Sequence, residues 1–427
     1  MVVLYYIVKP LINITFRFFF RKIYFSNMEG IPKDRAILFA VNHPTAFLDP
    51  IFVGSYIRQS TSFLLRGDMF KKPFIIFLLK QLRNIPIYRA RDGFANLKNN
   101  KDTFDYVYEL LKDGKHVLVL AEGQTKHEKR LRPIQKGTAR IATGLEELYP
   151  GTQLCILPLA VNYTDSHQYR SEFMAKVGTP ILVENYMGGD NYNPRRAVKQ
   201  MTDEITRQLQ DMVVHIDDDA DAPLVNRVLD FHRNDRDKVL LPVYSTSSFA
   251  LDTEMKISKA INESSPEYKS ALRKKVETYE AFLKKNDLKD VGLARPGFFS
   301  ILNSLILILG IPVFIIGYLN NLISLSLGKY VADSKTKKIE FHSSVRFGVI
   351  MGSYIFLFLI AMIILLIIGN WYWIGMLCLL PVLGFLSIIY SDLFMRWTAA
   401  RKWKGVDMAE RGKMESLRAE IVEATNF

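Results

Sequence analysis

The chain has 427 residues, of which 49% are hydrophobic, and a formal net charge of +13. This length allows two or more domains, and the excess of basic residues favours an anionic partner, either a nucleic acid or a membrane surface. The apolar residues concentrate at the two ends of the chain, which favours the membrane. The sequence shows no zinc-finger spacing and no tandem RNA-binding motif, so no nucleic-acid partner is expected.

Residues 1–30 are predicted to be an N-terminal membrane-associating segment. Aliphatic and aromatic residues are interrupted by basic ones such as Lys9 and Arg17, and no small-residue cleavage site follows, so a signal peptide is not expected. The pattern is typical of a helix at a membrane surface, broken at Pro10. The alternative is a helix that packs on the next domain.

Residues 31–214 alternate short apolar runs with amphipathic stretches, which predicts an α/β domain. The runs have the length of buried strands. The predicted strands are Ala36–Val41, Ser62–Leu65, Ile85–Tyr88, His116–Ala121, Leu154–Val161 and Lys176–Val183. The predicted helices are Lys71–Gln81, Asp102–Leu111, Gly137–Leu148 and Pro194–Asp211.

Residues 215–295 form a charged, helix-rich region in which no motif indicates chemistry. Cys155 and Cys378, the two cysteines of the chain, each lie within an apolar run. Buried free thiols are expected there, as in a domain that faces a reducing compartment.

Residues 296–395 are predicted to be a membrane region, because two long runs lack any charged side chain, one between Arg295 and Lys329 and one between Arg346 and Asp392. The second run is long enough for a hairpin of two spans of roughly 20 residues each. Basic residues flank both runs, and the tendency of such residues to stay on the cytoplasmic side favours a re-entrant first segment. Three full spans are the alternative. Residues 396–427 are predicted to be a basic cytoplasmic tail.

The strongest chemical signal is a histidine directly after an apolar strand, in the sequence Asn42-His43-Pro44 that leads to Asp49. Ligands of open α/β sheets bind at the carboxyl ends of strands. A histidine can remove the proton of an attacking hydroxyl near neutral pH, and a carboxylate on its other ring nitrogen fixes the tautomer. Taken alone, the pair would more often be a capping or core histidine beside an unrelated aspartate.

Three further blocks follow predicted strands or lie within them. Ile85-Pro86-Ile87-Tyr88-Arg89 comes next, then Ala121-Glu122-Gly123-Gln124-Thr125, then Leu157-Pro158-Leu159-Ala160. With the His43 block, they resemble in content and order the glycerolipid acyltransferase family, of the lysophosphatidic acid and glycerol-3-phosphate acyltransferase type. The resemblance covers roughly residues 31–185. It implies a mixed sheet wrapped by helices, followed by the helical appendage and C-terminal transmembrane helices.

Two departures from the family pattern point to a subgroup. Five residues, rather than the usual four, separate His43 from Asp49, and Gln124-Thr125-Lys126 replaces the usual Thr-Arg-Ser after Glu122-Gly123. The chain is similar in these respects to the fungal glycerol-3-phosphate acyltransferases, which also carry a C-terminal membrane region. The usual arginine after the Glu-Gly pair is missing.

The resemblance implies a role for each matching residue. His43 would be the general base and Asp49 its partner, and Arg89 would bind the acceptor phosphate, for which a guanidinium is well shaped. The remaining substrate-binding candidates are Asn42, Glu122, Gly123, Thr125, Lys126 and Pro158. Glu122 would contact a glycerol hydroxyl, and Pro158 would shape a wall of the site. Lys126, Arg130 and Arg132 are candidates to replace the missing arginine; a basic loop that faces lipid headgroups is an equal alternative.

No metal site and no cofactor are expected, because the remaining histidines lack ligand spacing. His127 is a possible second acid–base group, although histidines in such loops are usually solvated. The expected activity is O-acyl transfer from acyl-CoA or acyl-carrier protein to glycerol-3-phosphate or lysophosphatidic acid. Another lysophospholipid or a lyso-aminolipid is the alternative acceptor, and a catalytically vestigial scaffold or lipid-transfer protein is the alternative from another class. The lipid bilayer is an expected partner, with the catalytic domain on the cytoplasmic face of the inner or plasma membrane if the source is bacterial.

Overall fold

The computed structural model describes residues 3–88, 100–188, 192–236 and 240–425. The chain forms two compact units. The first comprises Met1–Val213, Tyr244–Leu251 and Lys338–Ser344, and the second comprises Val214–Val243, Asp252–Lys337 and Val345–Phe427. The short segment Lys338–Ser344 therefore belongs to the first unit although its sequence neighbours belong to the second.

The first unit is built on a mixed sheet. Its strands are β1 Lys22–Ser26, β2 Ala36–Val41, β3 Thr61–Arg66, β4 Asn84–Ile87, β5 His116–Leu120, β6 Leu154–Tyr163, β7 Glu172–Val177, β8 Ile181–Leu182 and β9 Tyr244–Ser245. Its helices are α1 Val3–Phe19, α2 Leu48–Tyr56, α3 Pro73–Gln81, α4 Asn100–Lys112, α5 Gly137–Leu148 and α6 Pro194–Gln210. The predicted α/β fold with a mixed sheet and flanking helices is confirmed.

The strand order is β4-β3-β5-β2-β6-β7-β1-β9, with β8 also paired to β6. Strand β2 lies between β5 and β6 and is parallel to both. Strands β6 and β7 are antiparallel. All six residues of β2 and all ten of β6 are buried, which explains why these strands are continuous apolar runs in the sequence.

Two predictions of local structure are wrong. The expected strand Lys176–Val183 is interrupted: it comprises the end of β7, irregular backbone at 178–180, strand β8 and the first residue of a 3₁₀ helix. Pro180 has no N–H group to donate to the sheet. The N-terminal helix is not broken at Pro10 but continues to Phe19. Phe16, whose ring centroid lies 5.0 Å from that of Phe52, fixes the end of this helix against the domain.

The N-terminal segment divides between two environments. Residues 22–26 form strand β1, which pairs in parallel with β7. Along α1, Tyr5 is buried, whereas Tyr6, Ile7 and Ile14 each expose more than half of their surface. One face of this helix thus packs on the rest of the first unit, and another presents apolar side chains outward.

The second unit is helical. Its helices are α7 Ala222–Arg236, α8 Phe249–Glu263, α9 Pro266–Lys285, α10 Asp290–Ala294, α11 Ile301–Lys335, α12 Ile339–Ile368, α13 Trp371–Trp403 and α14 Met408–Glu423. The first residues of α8 and α12 belong to the first unit. The C-terminal tail packs into this unit: Arg418 on α14 donates to the buried carboxylate of Asp290 (2.7 Å), which also accepts from the Tyr279 hydroxyl (2.8 Å).

Three helices, α11, α12 and α13, are long and apolar enough to cross a membrane. Residues 301–335 form one continuous helix rather than a segment that enters and leaves on the same side, so the re-entrant form favoured by the charge pattern is not observed. The pairing of α11 with α13 depends on small residues: a Cβ at Gly317 would lie 2.1 Å from the Leu383 carbonyl oxygen. The number of helices that cross the bilayer stays a prediction.

Candidate active site

His43 and Asp49 are in direct contact. His43 follows the carboxyl end of β2, and Asp49 lies in the first turn of α2. Nδ1 of the imidazole is 2.9 Å from Oδ2 of the carboxylate. His43 is 8% exposed and Asp49 is fully buried, so the pair is shielded from bulk water. A hydrogen bond at Nδ1 assigns proton uptake to Nε2.

Asp49 is held by more groups than the sequence suggested. Its Oδ2 also accepts the Thr45 backbone N–H (2.9 Å), and its Oδ1 accepts the hydroxyl groups of Thr45 (2.7 Å) and Tyr163 (2.7 Å). Burial, followed by the negative charge of Asp49, raises the pKa of Tyr163 well above its ordinary value, so its hydroxyl remains a donor. A carboxylate with this many donors is fixed in one orientation toward His43.

Asn42 is occupied by the sheet. Its side-chain amide donates to the Val161 carbonyl (3.0 Å) and accepts the Val161 N–H (2.7 Å), so it extends the pairing of β2 with β6 by one residue. Asn42 is 3% exposed. Asn42 therefore fixes the backbone directly before His43. Its predicted contact with substrate stays a prediction.

Glu122 braces the same loop from the neighbouring strand. It follows β5, and its Oε1 accepts the backbone N–H of His43 (2.7 Å), while Oε2 accepts that of Arg132 (3.3 Å). Burial raises the pKa of Glu122 to about 7, against the opposing effect of the His43 hydrogen bond. The side chain predicted to contact the acceptor thus positions the backbone of His43.

The other predicted residues are spread over the same part of the unit. Gly123 has a φ of +67°, which a glycine adopts without strain. Lys126 lies 2.6 Å from Glu128, which also pairs with Arg132 (2.7 Å). Pro158 lies inside β6, opposite Ala40. Thr125 is half-buried beside them. The Arg89 prediction falls outside the described residues.

The topology explains why these residues converge. Strands β5, β2 and β6 are adjacent and parallel, so their carboxyl ends share one edge of the sheet. Glu122, His43 and Tyr163 follow or terminate these three strands. Ligand sites of open α/β sheets lie at this edge, and a buried base with a fixed carboxylate partner there can deprotonate a hydroxyl nucleophile.

The segment Lys338–Ser344 packs directly on the catalytic loop, which the sequence analysis missed. The Ala46 N–H donates to the Glu340 carbonyl (3.1 Å), and the Phe47 N–H donates to the Ser344 hydroxyl (3.1 Å). The ring centroids of Phe47 and Phe341 are 5.6 Å apart. The first turns of an apolar helix thus fix the loop between His43 and Asp49.

Replacement of Ser344 should slow the reaction without abolishing it. Ser344→Ala removes the acceptor of the Phe47 N–H, and one neutral hydrogen bond contributes roughly 0.5–1.5 kcal/mol, so we expect kcat to fall about 3–10-fold. Ser353→Ala is the matched control, because the Ser353 hydroxyl donates within its own helix to Val349. Steady-state kinetics that show equal loss in the two variants would contradict the positioning role.

The raised pKa of Glu122 predicts a pH-dependent stability. Glu122 titrates near 4.5 in the unfolded chain and near 7 in the folded one. Between these values the folded state binds the extra proton, so the free energy of unfolding falls as pH rises, by on the order of 3 kcal/mol in total. The midpoint of thermal unfolding should therefore differ less between pH 5 and pH 8 in Glu122→Gln than in the wild type.

Glu128→Gln is the control for this measurement. Burial would raise the pKa of Glu128, but hydrogen bonds from Lys126 and Arg132 outweigh it and lower the pKa below the ordinary 4.5. Its titration therefore lies below pH 5, and Glu128→Gln should keep the pH dependence of the wild type between pH 5 and pH 8. A Glu122→Gln variant that keeps the full wild-type dependence would contradict the assignment.

Comparison with known proteins agrees with this geometry. Residues 22–162, from β1 to the end of β6, match the model of the Acyltransferase family, which confirms the resemblance carried by the four sequence blocks. The chain is 22% identical over 303 residues to glycerol-3-phosphate O-acyltransferase 1 of Saccharomyces cerevisiae, an alignment that covers 51% of this chain and 40% of the relative. It is 28% identical over 118 residues to glycerol-3-phosphate O-acyltransferase 2 of the same yeast, with 27% and 16% covered.

A solved structure is also similar. The 1-acyl-sn-glycerophosphate acyltransferase of Thermotoga maritima aligns with a TM-score of 0.34 and 16% identity, over 47% of this chain and 79% of that one. The chain spans well under half the length of the two yeast relatives, at 40% and 16%.

Proposed function

We propose, with the acyltransferase domain of residues 22–162 as the premise, that the chain transfers a fatty acyl group from a thioester donor to a hydroxyl of glycerol-3-phosphate or lysophosphatidic acid. The single observation that carries the proposal is the buried contact between His43 and Asp49 at the carboxyl end of β2. The names of the yeast relatives support a glycerol-phosphate acceptor.

The proposed reaction needs one base and no protein nucleophile. Nε2 of His43 takes the proton of the acceptor hydroxyl as its oxygen attacks the thioester carbonyl. The C–O bond forms, the tetrahedral intermediate collapses, and the C–S bond breaks. The imidazolium then returns the proton to the leaving thiolate. Asp49 stabilises the imidazolium and holds its ring toward the acceptor.

Basic side chains are proposed to bind the acceptor phosphate. Arg89 is the residue that the family resemblance assigns, and Lys126 lies on the loop after β5, half-exposed at 48% of its side chain. Lys126 now pairs with Glu128 and would exchange that partner for the phosphate. Glu128, whose side chain is 12% exposed, would keep Arg132 as a partner (2.7 Å), so the exchange would not leave its carboxylate unpaired.

The chain associates with membranes through its long apolar helices, and we propose that the catalytic unit faces the cytoplasm. Contacts of Glu340 and Ser344 with the catalytic loop put the start of α12 on the catalytic side. The basic flanks of the α12–α13 hairpin, at 329–346 and 396–404, support the cytoplasmic orientation. The junction of α12 and α13 at 369–370 would then face the opposite side.

The orientation is tested by cysteine labelling in intact cells. In a Cys378→Ser background, Tyr372→Cys should react with an impermeant maleimide, whereas Lys404→Cys should react only after permeabilisation. Cys155 is fully buried and should contribute no label. The reverse pattern of labelling would contradict the orientation.

The activity is tested with the full chain in detergent or liposomes. Acyl-CoA and acyl-carrier protein are supplied separately, each with glycerol-3-phosphate, lysophosphatidic acid or a lyso-lipid without a phosphate. Turnover restricted to the phosphorylated acceptors supports the proposal and identifies the donor. Turnover of only the third acceptor would keep the mechanism but contradict the binding of a phosphate by Arg89 and Lys126. No turnover with any acceptor, in protein shown to be folded, would overturn the proposed activity.

A further inference from the structure

Two histidines and an aspartate converge beside the proposed active site. His127 lies on the loop after β5, and Asp165 and His167 lie on the loop after β6. One nitrogen or oxygen atom from each of the three lies within 4.8 Å of the other two. Because β5 and β6 flank β2 in parallel, both loops leave the sheet at the same edge. Residues 38 to 40 positions apart in sequence are thus brought together by the topology.

The side chains are arranged by their neighbours rather than spread in solvent. The ring centroids of His127 and His167 are 5.1 Å apart with the ring planes perpendicular. Nδ1 of His127 contacts the Ser166 hydroxyl. The Ser166 carbonyl accepts the Ser343 hydroxyl (2.6 Å), which ties this loop to the segment Lys338–Ser344 of the same unit. Such outer contacts orient metal-binding histidines in known sites.

We propose that His127, Asp165 and His167 form a zinc site. Two imidazoles and one carboxylate are a ligand set typical of zinc sites with three protein ligands, in which water or substrate takes the fourth position. Magnesium and calcium prefer oxygen ligands, and only Asp165 supplies one here. The Lys129 ammonium donates to the Thr164 carbonyl (2.8 Å) and adds positive charge nearby. Binding of a cation here would therefore depend on the imidazole ligands rather than on an excess of negative charge.

The sequence analysis expected no metal site because His127 and His167 are too far apart in the chain to form a local motif; the inference depends on the loops of two separate strands.

A zinc ion at this position would add positive charge beside the proposed acceptor site, where the usual arginine after Glu122-Gly123 is missing. This consequence depends on the proposed function, whereas the binding of the metal does not. We expect zinc to lower the KM for glycerol-3-phosphate and to leave unchanged the KM for the acyl donor. Equal acceptor KM values with and without zinc would overturn this phosphate role.

Metal binding is measured without any assay of acyl transfer. The full chain, purified in detergent without a histidine tag and stripped with a chelator, is titrated with zinc against a chromophoric chelator. We expect one zinc per chain. The affinity should fall by about 100-fold or more in His127→Ala and in His167→Ala, because loss of an outer partner of a ligand alone lowers metal affinity by about 10–100-fold. Cobalt should give visible d–d absorption bands in the wild type that both variants lose.

The matched control is His215→Ala. Nε2 of His215 lies 3.4 Å from the Asp217 carboxylate, so it forms a histidine–aspartate pair at the same spacing as Asp165 and His167 but outside the three-residue cluster. This variant should bind zinc as the wild type does. Thermal unfolding verifies that each variant is folded, and Asp165→Asn replaces any alanine variant that is not. The proposal is overturned if the wild type takes up no stoichiometric zinc, or if the cluster variants bind it as tightly as His215→Ala.

Discussion

His43→Ala should reduce acyl transfer by about 10³-fold or more, because the variant loses the proposed base and general base catalysis contributes roughly 10²–10⁴-fold. The loss should appear in kcat with glycerol-3-phosphate or lysophosphatidic acid as acceptor. Thermal unfolding should change little, since the imidazole contributes one side-chain hydrogen bond, to Asp49. Single-turnover measurement with a labelled acyl donor separates this loss from slow product release.

A histidine elsewhere supplies the control for this variant. His215→Ala lies in the second unit and should keep the wild-type rate. If the folded His43→Ala protein retains more than about a tenth of the wild-type kcat, His43 is not the general base, because the loss of rate is then below the range of general base catalysis. The vestigial scaffold would gain support if that variant also restored function in a deficient strain.

Asp49→Ala should strongly reduce the stability of the first unit. Asp49 is fully buried and accepts from Thr45 and Tyr163 as well as His43, so its removal leaves several buried donors without an acceptor. We expect the free energy of unfolding to fall by about 3–5 kcal/mol. For a unit of this size the midpoint of thermal unfolding should fall by roughly 10 °C. Fluorescence-detected unfolding in detergent measures it.

Two further variants separate stability from catalysis. Asp49→Asn keeps the volume and an acceptor oxygen but loses the charge that stabilises the imidazolium, so it should unfold closer to the wild type while its rate falls about 10²–10⁴-fold. Tyr163→Phe removes one donor to Asp49 and should cost about 1 kcal/mol of stability with a modest change in rate. An Asp49→Asn enzyme with the wild-type rate would contradict the role of the carboxylate.

The sequence determined much of the fold because local patterns carry the physical information. Ala36–Val41 and Gly137–Leu148 have the predicted bounds, since a buried strand of a parallel sheet is apolar on both faces and an amphipathic helix repeats about every 3.6 residues. The pairing of His43 with Asp49 was also accessible, because the two residues are six positions apart and α2 begins between them.

Contacts between distant parts of the chain were decided by the tertiary structure alone. Tyr163 lies 114 residues from Asp49, and Ser344 lies 297 residues from Phe47. Neither contact has a local pattern, since a hydroxyl reaches its partner only after the strands have been ordered in the sheet. The same holds for His127 and His167, which meet because parallel strands β5 and β6 end at one edge. The sequence could therefore predict the pairing of His43 with Asp49, whereas the groups that orient the pair required the strand order.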